Sequence, residues 1–245
     1  MMKRIHIVLL VFMTVLLSGC LYPNEQLTKN EVPNEVQLQT IQSAVDQYRE
    51  NNQGLVPIKT KPNETPVFQK YLIDFTKLKE QNLISEIPGT AFENGGVYQY
   101  ILITPEEDPR VKVIDLRMTQ EINTVERYIN QYRDEHLYPP FGEEVADGIY
   151  KVNYSKIGLE NPPTIPSPYS QDNLSLVMDT NGDIYVDYRA ELYKAIKNEE
   201  HDYEAGDDIR YLLAETTPFA PAYSLPYTIE SGSDEPVFAP DLKTP

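Results

Sequence analysis

One amphipathic helix pattern occurs twice in this chain, and that repetition narrows the available folds more than any other feature. Residues 41–52 read IQSAVDQYRENN and residues 125–136 read VERYINQYRDEH. The apolar positions Leu38, Ile41, Val45 and Tyr48 recur as Ile122, Val125, Ile129 and Tyr132. Spacings of three, four and three residues put each set on one helical face. Asn34 with Gln37, and Thr119 with Glu121, offer capping chemistry at the starts, and Pro57 and Pro139-Pro140 bar both helices from continuing.

The likeness runs past the helices. Residues 71–78 (YLIDFTKL) align with residues 150–157 (YKVNYSKI), and alternation of Tyr150, Val152 and Tyr154 predicts a half-buried strand. Residues 97–103 and 111–116 flank a turn rich in proline and acid, while 174–178 and 184–188 flank Asp179-Thr180-Asn181-Gly182-Asp183. Both stretches close alike, on Val113-Ile114-Asp115-Leu116-Arg117 and Tyr185-Val186-Asp187-Tyr188-Arg189. The expected fold is therefore α+β: two tandem copies of a helix plus a three-stranded antiparallel sheet, spanning 34–117 and 118–189. A helical extension is expected over 190–215, with Leu192 and Ile196 on one face. An irregular, proline-rich tail, extended along the body at first and disordered at its end, is expected over 216–245.

The N-terminus has a different logic. Lys3 and Arg4 precede an apolar stretch over 5–17, followed by Leu17-Ser18-Gly19-Cys20. A basic start, a short apolar core and small residues at its end are the layout of a secretory signal peptide over 1–19. The apolar core falls short of the roughly 20 residues that a spanning helix needs. The ending resembles the lipobox of bacterial lipoproteins. That resemblance implies diacylglycerol on the Cys20 sulfur, cleavage before it, and a lipidated tether over 20–33. The chain as a whole resembles uncharacterised lipoproteins of Gram-positive bacilli. The expected location is thus the cell membrane, lipid-anchored on the extracytoplasmic side, and two acyl chains suffice for stable anchoring. Cys20 is the single cysteine, so the body has no internal disulfide and must be held by burial.

Charge sharpens the choice of partners. Loss of Lys3 and Arg4 with the leader leaves 19 of the 21 basic residues against 38 acidic ones, a formal −19. Such a body is repelled by nucleic-acid phosphate and by anionic headgroups, so no nucleic acid is expected and contact with the bilayer runs through the acyl anchor. The charge serves solubility first; a sharper reading is attraction of cations or of a basic partner.

Catalytic signatures do not emerge. There is no G-x-S-x-G or S-x-x-K arrangement, no paired-histidine zinc spacing, and no glycine-rich phosphate loop. No cofactor is expected. His136 and His201 read as surface residues. Asp179, Asn181 and Asp183 have the first, third and fifth positions of a calcium loop, but Ile184 stands where glycine is required and Ala190 where the bidentate acid is required. Asn181-Gly182 between alternating runs reads instead as a hairpin turn. Glu199, Glu200, Asp202, Glu204, Asp207 and Asp208 offer carboxylates for a divalent cation, though a solvated face is the simpler reading. In the repeated Gln-Tyr-Arg, Tyr48 and Tyr132 are expected to pack, and Arg49 and Arg133 to pair with acids or dock a partner's carboxylate. Three functions stay open: an interaction or scaffold module with an envelope protein partner, an envelope hydrolase using carboxylates, and a solute-binding lipoprotein. A cleft with perturbed carboxylates would favour the enzyme, a shallow apolar patch with tyrosines the module.

Overall fold

A computed structural model describes residues 35–242. The leader, Leu17, Ser18, Gly19, Cys20 and the tether lie outside the described residues. Among the described residues the fold is α+β, with six helices, one five-stranded antiparallel sheet and two two-stranded hairpins. No helix there is long and apolar enough to cross a membrane.

Helix α1 (Glu35–Asn51) buries Ile41, Ala44 and Val45, with Leu38 and Tyr48 packed beside them, so the stripe read from the spacing faces the core. It closes on Gln53 and Gly54, both at positive φ, where the Gly54 amide donates to the Arg49 carbonyl at 2.9 Å. Short helices α2 (Val67–Lys70) and α3 (Phe75–Glu80) follow. Helix α3 corrects the expected first strand. The Asp74 carboxylate accepts the Thr76 amide at 3.1 Å and starts a helix that buries Phe75 and Leu78 on one face. Only Leu72 and Ile73 make β contacts, as isolated bridges to Ile101 and Ile58. The first sheet is accordingly the hairpin of β1 (Tyr98–Ile103) and β2 (Arg110–Asp115), not a three-stranded unit.

Helix α4 (Arg117–His136) buries Met118, Ile122, Val125, Ile129 and Tyr132. It begins before Thr119, because Asp115 rather than Thr119 accepts the first backbone donor. The larger sheet holds β3 (Phe141–Ala146), β4 (Ile149–Val152), β5 (Ile165–Pro166), β6 (Asn173–Asp179) and β7 (Ile184–Asp187). Strand β6 is central and pairs antiparallel with β4, β5 and β7. Beyond β4, Asn153 accepts the Lys156 amide and turns the chain into a 3-10 turn, so the strand read over 150–157 ends at Val152.

Helices α5 (Arg189–Asn198) and α6 (Arg210–Thr216) come next. The first part of the proline-rich tail then lies extended along the body. Residues 217–223 cross from one half of the molecule to the other. Val113 of β2 donates to Pro218 and its carbonyl accepts from Ala220, while Val186 of β7 donates to Tyr223 at 2.7 Å. Ala220 and Ala222 are small enough to be buried, in a cluster with Phe68, Ile101, Ile103 and Ile114, and prolines at 218, 221 and 226 suit an extended strap with few donors to satisfy. The chain ends in a hairpin of β8 (Tyr227–Ile229) and β9 (Pro236–Phe238), which buries the Tyr227 ring.

Candidate functional site

The sequence places an Asp-x-Arg triplet at the start of three helices, and all three fold into the same fork. In Asp115–Arg117, Asp187–Arg189 and Asp208–Arg210 the Arg Nε lies 2.9, 3.0 and 2.9 Å from Oδ1, and Nη2 lies 2.6, 2.7 and 2.6 Å from Oδ2. The same Oδ1 accepts the Arg backbone amide at 3.0, 3.1 and 3.2 Å. A carboxylate at a helix start satisfies an orphan donor and meets the positive end of the dipole. Each guanidinium also lies over a ring from elsewhere in the chain: Tyr98 at 5.9 Å, Phe238 at 4.5 Å and Phe68 at 5.0 Å. The first two triplets are legible in the sequence, as the matching ends of two strand-like runs. The third was hidden inside the acidic run, where only the Asp-x-Arg spacing could have separated Asp208 from its neighbours.

That acidic run borders a cavity of about 640 Å³ lined by Glu200, Asp202, Asp207, Tyr203 and Tyr211 among others. The carboxylates do not converge. Glu199, Glu200, Asp202 and Glu204 are solvent-exposed, Asp207 accepts the Glu204 amide, and Asp208 is held by Arg210. No group of three or more metal-ligating side chains occurs among the described residues. Burial pushes the Tyr211 phenol up to about 12, with Asp208 adding to it.

The Asp179–Asp183 turn behaves as a hairpin. Asp179 Oδ1 accepts the amides of Asn181 and Asp183 at 2.8 and 3.0 Å, which commits that oxygen to the turn. Gly182 has φ of +85° and lies so near Pro139 that a Cβ would sit 3.0 Å from the proline Cγ. The repeated arginines rest on these turns. Arg49 donates to the Glu106 and Glu107 carbonyls of the β1–β2 turn at 3.3 and 3.2 Å, and the Arg133 stem lies beside Gly182.

One cluster, which no motif announced, brings together groups used in nucleophilic catalysis. Ser170 Oγ donates to Glu191 Oε1 at 2.6 Å and lies 3.2 Å from Lys194 Nζ. Lys194 also holds Asp172, a bond that raises its pKa and keeps the ammonium charged. A protonated lysine cannot take the serine proton. The cluster ties the loop before β6 to α5, next to a Tyr169 hydroxyl buried without a hydrogen-bond partner.

The end of α4 has a different character. Leu137 terminates the helix at φ +66° and is 92% exposed, and Tyr138 beside it is 49% exposed. Beneath them the Tyr132 and His136 rings stack at 4.0 Å and 5°, and Tyr132 meets Tyr138 edge-on at 5.7 Å. The Tyr132 hydroxyl donates to the Tyr138 oxygen at 3.2 Å, an interaction that raises the Tyr132 phenol pKa. Lys156 Nζ stands 5.9 Å from the Tyr138 ring centre. The sequence signal was a leucine where a helix end in the left-handed region favours glycine.

Comparison with curated proteins and with solved structures returns no match. Residues 34–115, which run from α1 to the end of β2 and stop at the Asp of the first fork, match the family model for the YphF family N-terminal domain, and this part of the chain is similar to that family.

Proposed function

We propose that the chain is a membrane-anchored extracytoplasmic lipoprotein whose body is an interaction or scaffold module for an envelope protein. Leu17, Ser18, Gly19 and Cys20 support the anchor. The observation that carries the module reading is Leu137. A leucine held in the left-handed region costs about 1–2 kcal/mol, and burial offsets none of it here because the side chain is almost wholly exposed. The Tyr138 ring packs edge-on against Tyr132 and Pro139 restricts its backbone, which limits the entropy that Tyr138, beside Leu137, would lose on binding.

The test has two arms. Cys20→Ala is expected to move the protein from the membrane fraction to the soluble one. Leu137→Asn, in which Asn tolerates the same backbone, is expected to keep the fold and lose the partner in membrane crosslinking pull-downs. An unchanged crosslinked complex would refute the module reading.

The forks support a duplication reading as well: a helix-and-sheet unit copied twice, with a degenerate third copy begun at α5, where the helix Arg189–Asn198 follows the second fork. The hydrolase alternative has one observation in its favour, the Ser170–Glu191–Lys194 cluster. Labelling of Ser170 by a fluorophosphonate would establish it against the charge state that Asp172 imposes on Lys194.

A further inference from the structure

Arg110 and Lys112 lie on one face of β2, and both side chains reach toward the end of α6. The Lys112 ammonium donates to the Thr217 carbonyl at 2.7 Å, and no carboxylate pairs with it among the described residues. Lys59, Lys151, Lys194 and Lys197, by contrast, each hold an acid. Glu215 is engaged instead by Arg110, 3.6 Å away. Lys112 borders a groove of about 410 Å³ between α1 and the start of the strap, with Leu38, Val111 and Pro218 in its walls and the exposed acids Glu35 and Glu215 beside it. Burial lowers the Lys112 amine to about 8, with the Arg110 guanidinium adding to the effect and Glu215 opposing it. The free amine, which is the nucleophilic form, is therefore populated near neutral pH.

We propose that this groove is a binding site for a small uncharged aldehyde with an apolar tail, which the Lys112 amine captures as a Schiff base. Attack of the nitrogen lone pair on the carbonyl carbon forms the C–N bond, and one amine proton passes to the carbonyl oxygen. The carbinolamine then loses its hydroxyl and the second amine proton as water, which leaves the C=N bond; nothing is oxidised or reduced. Leu38, Val111 and Pro218 give the tail a surface to pack on. A formal charge of −17, with Glu35 and Glu215 at the groove itself, disfavours an anionic carbonyl compound such as a keto acid. The half-buried nitrogen favours the less crowded carbon of an aldehyde over that of a ketone. The site is separate from Leu137 and does not depend on the module reading.

The test treats the chain from Cys20 onward, which contains every described residue, with propanal or hexanal and cyanoborohydride. The hydride reduces any imine to a stable alkyl-lysine, and peptide mass spectrometry follows the rate at each site. Lys156 is the internal control, an exposed lysine that also bonds a backbone carbonyl. At pH 7 alkylation of Lys112 is expected to outrun that of Lys156 by about tenfold or more, and to level off above pH 8 while Lys156 continues to speed up. The rate at Lys112 should saturate with aldehyde, at a lower concentration of hexanal than of propanal, and should fall to that of Lys156 in guanidinium chloride. Lys112 reacting no faster than Lys156 in the native chain overturns the proposal. A preference that survives denaturation, or a rate at Lys112 that stays linear in both aldehydes, overturns it too, since either means that the groove takes no part.

Discussion

Asp208 and Arg210 stand two residues apart and grip one another at both ends, with Nε 2.9 Å from Oδ1 and Nη2 2.6 Å from Oδ2. Both side chains are nearly buried, at 7% and 3% exposure. The remaining guanidinium nitrogen donates to the Ser224 hydroxyl at 3.2 Å, and the Phe68 ring covers the group. This pair thus joins α6, the strap and the first half at one point. The Asp115–Arg117 fork has the same bond lengths around an arginine that is half exposed. The two forks thus share one geometry and a nearly buried carboxylate, and differ in how far the arginine is exposed.

Removing the arginine tests how far each carboxylate depends on its partner. Arg210→Met leaves Asp208 charged and nearly buried, which costs about 3–5 kcal/mol. Arg117→Met removes a half-exposed arginine but leaves Asp115, whose side chain is only 10% exposed, without its fork partner, and should cost about 1–3 kcal/mol. Urea unfolding of the two variants checks this, and no loss in Arg117→Met would show that the buried Asp115 does not need the arginine.

The strap predicts a pattern of opening. Phe219 meets Tyr98 of the first half at 5.9 Å and Tyr169 of the second at 6.2 Å, so it is wedged between them. Phe219→Ala should cost about 1–3 kcal/mol, below the range for a fully buried ring. In hydrogen exchange the amides of Val113, Ala220 and Val186, which bond across the strap, should speed up together while β6 stays protected. Uniform acceleration across β6 would mean global destabilisation instead.

How far the sequence spoke follows from which forces were local. The stripes of α1 and α4 were legible because a helical period is written in neighbouring residues, and so was the β6–β7 hairpin. Residues 71–78 misled because they align with residues 150–157, where Tyr150, Val152 and Tyr154 alternate with the strand period, while the Asp74 cap settles the matter over two residues. The strap was illegible because its partners, Val113 and Val186, lie far away in sequence. Leu137 offered only its place at a helix end, where glycine is favoured; its exposure is known only once the surface is.

Leu137→Gly should stabilise the protein. Glycine enters the left-handed region without steric penalty, and the leucine side chain contributes no burial to lose. A gain of about 1 kcal/mol corresponds to a rise in Tm of about 2–4 °C at this size. A fall in Tm would mean that the leucine packs on something within the body, and the case for an outward contact would go with it.

Alkaline pH should reveal two opposed linkages. Burial lowers the Lys112 pKa to about 8, helped by Arg110 and opposed by Glu215, against an unfolded value near 10.4. Between those values the unfolded chain holds a proton that the folded chain has released, so stability should rise with pH. Burial also raises the phenols of Tyr154, Tyr185 and Tyr211 to about 12. Above pH about 10 the unfolded chain loses protons that the folded one keeps, so stability should fall. The midpoint of urea unfolding should therefore climb from pH 8 and turn over near pH 10. Lys112→Met should remove the climb and keep the fall. A climb that survives in Lys112→Met would assign it to another group.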